Sequence, residues 1–63
     1  MHKQELIQAI GELGALSEQE AEQAFKNLLI VKGIVFDAHD GYRITFGGYM
    51  DRDVLRRAAI AEF

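Results

Sequence analysis

Between Leu28 and Tyr49 the chain reads LLIVKGIVFDAHDGYRITFGGY: an apolar helical run meets Lys32-Gly33, then two short alternating runs flank Asp40-Gly41. That order predicts a helix feeding a β-hairpin. Glycine just past a helix supplies the left-handed residue at no steric cost, and apolar Ile34 after it can pack back on the last turn. Asp-Gly between alternating apolar runs is a strong hairpin signal, with strands expected over Ile34 to Asp37 and Tyr42 to Phe46. Alternation then places Tyr42, Ile44 and Phe46 on one face, and Arg43 and Thr45 on the other.

Upstream, Leu6, Ile7, Ala9, Ile10 and Leu13 recur at three- and four-residue steps opposite Gln4, Glu5, Gln8 and Glu12, the pattern of an amphipathic helix. Gly14 is placed to end it. Ser17-Glu18-Gln19-Glu20 matches a capping box for a second helix, and Leu16 and Ala21 occupy the positions of a hydrophobic staple. The core stripe of that helix is expected to be Ala21, Ala24, Phe25, Leu28, Leu29 and Val31. After Gly47-Gly48 a last helix is expected, with Asp51 as N-cap and Asp53 as a favourable first-turn charge. Val54, Leu55, Ala58, Ala59, Ala61 and Phe63 form its apolar side. The expected fold is one α+β domain over residues 1–63: two N-terminal helices, a β-hairpin and a C-terminal helix.

A chain of 63 residues buries only about 60% of the surface its unfolded form exposes. Such a domain usually needs a supplement from a disulfide, a metal or a partner subunit. It has no cysteine, and its two histidines, His2 and His39, are far apart with no ligand spacing, so neither a metal nor another cofactor is expected. Good local signals or oligomerisation must serve instead. No apolar run approaches the roughly 20 residues of a membrane span, and the N-terminus lacks the order of a secretion signal. With the absent cysteine, this suits a cytoplasmic protein.

The net charge of −3 argues against coating nucleic acid through charge alone. Its distribution is uneven. Up to Val31 two basic residues (Lys3, Lys26) face five acidic ones (Glu5, Glu12, Glu18, Glu20, Glu22), whereas from Lys32 onward five of each sign balance. An anion-binding face is therefore expected toward the C-terminal half.

The second helix is expected to expose Gln19, Gln23, Lys26, Asn27 and Ile30. Amides can pair bidentately with adenine, and lysine can meet guanine or phosphate. The same residues can equally form an ordinary solvated face, since Glu18, Glu20 and Glu22 would repel phosphates. Ile30 is either a harmless exposed side chain or a subunit contact. Lys32 and Arg43 extend the basic set to the hairpin, where Arg43 either touches a phosphate or pairs with Asp37 or Asp40. On the last helix Arg52 and Arg56 lie one turn apart and can straddle a phosphate, or be neutralised by Asp53 and Glu62. His39 reads as a solvated turn residue.

Residues 1–29 resemble the opening helical hairpin of the HU/IHF histone-like proteins, on Met1, Lys3, Glu5-Leu6-Ile7, Ala9-Ile10, Glu12, Leu16-Ser17, Ala21-Glu22 and Ala24. Phe46-Gly47-Gly48-Tyr49 resembles the FGxF turn of that family. The resemblance implies a dimerising scaffold. It implies no DNA bending, because the basic arm is missing and Gly33 interrupts the second helix. Residues 33–55, with Gly41-Tyr42-Arg43-Ile44-Thr45 and Gly48-Tyr49, resemble the winged-helix domain that precedes the kinase domain in one branch of the Rio kinases. That resemblance implies a wing and a winged-helix-like arrangement. No part of the kinase is present, and the chain is one helix short before the wing unless the last helix or a second subunit fills that place.

Catalysis is not expected. There is no cysteine nucleophile, the single serine is a helix cap, and no paired carboxylates stand out. Gly11 to Gly14 and Gly47-Gly48 read as helix ends and a hinge, not as a phosphate loop. The leading expectation is a small DNA-binding regulatory protein, homodimeric, that reads DNA with its second helix and wing. The alternative is a protein–protein interaction module, an adaptor or inhibitor of a DNA-binding or transcription protein using the same fold, favoured by the acidic N-terminal half and by Ile30.

Overall fold

The computed structural model describes residues 2–45 and 51–60 of the chain. The elements are α1 (Lys3–Gly14), α2 (Glu18–Ile30), β1 (Ile34–Asp37), β2 (Gly41–Ile44) and α3 (Arg52–Ile60), three helices and one antiparallel two-stranded hairpin in an α+β domain. The expected positions of Phe46, Gly47-Gly48, Tyr49, Ala61, Glu62 and Phe63 lie outside the described residues.

The capping box forms as its sequence requires. Ser17 Oγ accepts from the Glu20 amide at 3.2 Å, and Glu20 Oε1 accepts from the Ser17 amide at 2.9 Å. Two orphan amides of the first turn are thereby satisfied. At the start of α3, Asp51 Oδ1 accepts from the Asp53 amide at 2.7 Å, the expected cap.

Both early helices close with paired terminal bonds in which the left-handed residue is not the glycine. After α1, Ala15 (φ 53°) donates to Glu12 O and Leu16 donates to Gly11 O. After α2, Lys32 (φ 60°) donates to Leu29 O and Gly33 to Leu28 O. This is the Schellman arrangement of bonds. Expected as the left-handed residue, Gly33 takes the next position. Gly14 is the last residue of α1 and is buried, with its vacant Cβ direction 3.1 Å from Leu55 Cβ. Its absent side chain lets α3 approach α1.

The hairpin pairs Ile34 with Ile44, Val35 with Arg43, Phe36 with Tyr42 and Asp37 with Gly41. β1 has the expected bounds, whereas β2 starts one residue earlier, and the Thr45 amide extends the pairing by donating to Gly33 O at 2.9 Å. Asp37 Oδ1 accepts from the His39 amide at 2.8 Å and shapes the turn, and Gly41 supplies its positive φ of 78°. Tyr42 stands edge-on to both Phe25 (ring centroids 5.0 Å) and Phe36 (5.2 Å), which ties the hairpin to α2.

Leu6, Ile7, Ile10, Ala21, Ala24, Phe25, Leu28, Ile34, Leu55, Ala58 and Ala59 form the core. Leu29 is half-buried against this core, and three expected core positions are exposed. Leu13 is exposed because α1 turns Gly14, not Leu13, toward α3. Val31 is 52% exposed because it caps α2 where the backbone already leaves the helix. Val54 lies at the edge of the buried α3 stripe of Leu55, Ala58 and Ala59.

Gly14→Ala should destabilise the fold by about 1–3 kcal/mol through overpacking at the α1–α3 contact. A fall in the thermal midpoint of at least about 4 °C would register it.

Candidate functional site

The expected reading face of α2 is only partly free. Gln23, Lys26 and Ile30 are exposed, but Asn27 is 3% exposed, so its placement on the solvated face is corrected. Its Nδ2 donates to Ala58 O at 2.6 Å, across the contact with α3, and its Oδ1 accepts from Gln23 Nε2 at 3.1 Å. The cause is the position of α3, which packs along this side of α2. Asn27 thereby supplies a donor to a carbonyl in the last described turn of α3. Gln23 spends an amide proton on holding it.

The remaining cations are distributed over separate elements. Lys26 borders a cleft shared with Lys3, Glu22, Phe25 and Tyr42, and Lys3 Nζ sits 5.8 Å from the Phe25 ring centre. Lys32 is exposed at the end of α2, where its carbonyl accepts from the Thr45 hydroxyl. Arg43 is exposed on the outer face of the hairpin, opposite Val35 and diagonal to Asp37. Arg52 and Arg56 are exposed on α3, and Arg56 borders a different hollow with Glu20, Asp53, Arg57 and Ile60. Lys26 and Arg56 thus flank different clefts, each with a carboxylate nearby.

The hairpin turn carries His39 to the start of α1, where it borders one cleft with His2, Glu5 and Phe36. Their separation in sequence does not persist in space. Among the described residues no three metal-capable side chains converge.

A further feature had no place in the sequence expectations. Between α1 and α2 runs a groove of about 400 Å³, with Ile7, Gly11, Leu16 and Ala21 on its floor and Glu12 and Glu18 on its rim. Gly11, expected near a helix end, lies inside α1. A Cβ there would meet Ala21 Cβ and Leu16 O at 3.5 Å, ordinary contact distance. The fold therefore has room for alanine, although glycine costs a helix interior about 1 kcal/mol relative to it. Glu12 is the second local anomaly. It places a carboxylate in the last turn of α1, toward the negative end of the helix dipole, and that turn has no basic residue. A glycine inside an amphipathic helix followed by an acid near its end was the available sequence signal.

Glu20 shows what the capping geometry does to a titrating group. The Ser17 amide, then the Ser17 hydroxyl, hold its carboxyl below the ordinary value of 4.5, and Arg56 adds a smaller pull in the same direction. A lowered folded-state pKa means that the associated stability is complete above about pH 4.5 and is lost as pH falls through the lowered value. Glu20→Gln should flatten that part of the acid limb of a thermal midpoint against pH curve. An unchanged acid limb would show that the cap carries none of it.

No helix among the described residues is long and apolar enough to cross a membrane. No protein-family model, curated protein or solved structure matches the chain.

Proposed function

We propose that this chain is a non-enzymatic protein-interaction module that docks an apolar segment flanked by basic residues in the α1–α2 groove. The observation that carries the reading is the pair Gly11 and Glu12. Each is disfavoured by the local physics of the helix, each borders the same groove, and the fold itself has space for a larger residue at Gly11. Departures from local preference concentrate where a surface has another task. The apolar floor supplies the attraction, and Glu12 and Glu18 select positive charge on the occupant. A cytoplasmic setting belongs to this reading and is supported by the absence of cysteine.

The test uses a synthetic amphipathic peptide of leucine and lysine, titrated into the isotopically labelled chain. Amide shifts should concentrate at Gly11, Glu12, Leu16 and Glu18. Gly11→Ala should raise the thermal midpoint by several degrees, from about 1 kcal/mol of helix propensity, and weaken peptide binding at least about tenfold by filling the floor. Shifts confined to the hairpin, or binding indifferent to Gly11→Ala, would defeat the reading.

A second reading, a winged-helix-like DNA-binding regulator, is favoured by the exposure of Lys26, Lys32, Arg43, Arg52 and Arg56. Asn27 has no part in it, and Gln23 spends one of its two amide protons on Asn27. Duplex binding that weakens linearly on a log–log plot of affinity against salt would support it. No binding at low salt, or affinity unchanged by Arg43→Ala with Arg52→Ala, would remove it.

A further inference from the structure

We infer that the occupant of this groove is a second copy of the chain: Ile60 of one protomer enters over Gly11 of its partner, with Arg56 and Arg57 meeting Glu12 and Glu18, in a closed two-fold dimer. The inference rests on the docking reading and names its partner. Ile60 is 77% exposed, the most exposed large apolar side chain among the described residues. Arg57 and Arg56 precede it by three and four positions, so all three share one side of α3. The chain therefore carries an apolar plug beside Arg56 and Arg57, in a hollow that also holds Glu20 and Asp53, and an apolar groove with Glu12 and Glu18 on its rim; the two arginines are complementary in charge to that rim.

Their placement favours a closed assembly. Leu16 borders both the groove and the hollow beside Arg56, Arg57 and Ile60, so the two surfaces adjoin at the start of α2. A two-fold axis passing near that shared edge lays each protomer's plug on the other's groove at once. Both sites are then filled with none left over, whereas a head-to-tail contact between distant patches would propagate into a ring or filament. A partner subunit also supplies what a small core lacks.

Sedimentation equilibrium of the full chain from about 10 μM to about 1 mM decides the matter, each variant being checked by thermal unfolding. The expected result is a monomer–dimer equilibrium without larger species. Ile60→Glu, which sets a carboxylate against the acidic rim, should weaken dimerisation at least about tenfold without loss of folding. Glu12→Arg and Arg57→Glu should each weaken it, and the two together should recover it, an outcome that general destabilisation does not produce. A folded monomer throughout, a dimer indifferent to Ile60→Glu, or failure of the charge exchange to recover association would overturn the inference. Growth into higher oligomers would overturn the closed two-fold form. If the leucine–lysine peptide still shifts the groove amides of a strictly monomeric chain, the docking reading stands with another partner; if it does not, both fall.

Discussion

The seam between α2 and α3 governs this molecule, and its centre is polar. Asn27 is only 3% exposed, and its amide spans from one helix to the carbonyl of another 31 residues away. A buried amide is tolerable only when its polar atoms are paired, and the Ala58 carbonyl and the Gln23 amide meet that requirement. The pairing fixes more than distance. Alanine-lined helices can slide on one another at little cost, but a bond to one carbonyl sets their register. With α3 so placed, Leu55 falls against Gly14 of α1, and Arg56 falls beside the capping box of α2.

Local signals accounted for the order of elements. The capping box at Ser17, the Asp51 cap, the exit from α2 and the hairpin around Gly41 each depend on a few neighbouring residues, and each stands where its spacing placed it. What sequence order did not reveal was the choice among neighbours made by packing. Ala15 and Lys32 adopt left-handed backbone although Gly14 and Gly33 stand beside them. Gly14 is committed to the close approach of Leu55, and the terminal bonds of α2 put Lys32 at the left-handed position. Asn27 was misplaced for a related reason. Polarity suggests an outer face, and only the position of α3 makes that face an inner one.

The groove was legible in part. Gly11 and Glu12 stand in the sequence as a helix weakener and an unfavourable terminal charge, but no local rule says that Leu16, after the turn, closes the floor beside them. The same limit applies to the charges. Residue counts assign the acidic excess to the N-terminal half, yet only the folded chain sets Glu20 beside Arg56 and gives Lys26 and Arg56 different surroundings. A basic residue contributes to anion binding according to what surrounds it, which a count along the chain does not contain.

The two helix exits also bear on how readily this domain can change. Ala15 and Lys32 hold a conformation that glycine adopts freely and that costs other residues about 1–2 kcal/mol. In so small a protein this is an untapped reserve close to the scale on which single substitutions act. Ala15→Gly lies within the turn between α1 and α2 and would draw on it without altering any buried side chain. A lineage carrying that exchange could absorb a damaging substitution elsewhere on its surface, so the domain's tolerance for new contacts is set partly by a backbone angle remote from them.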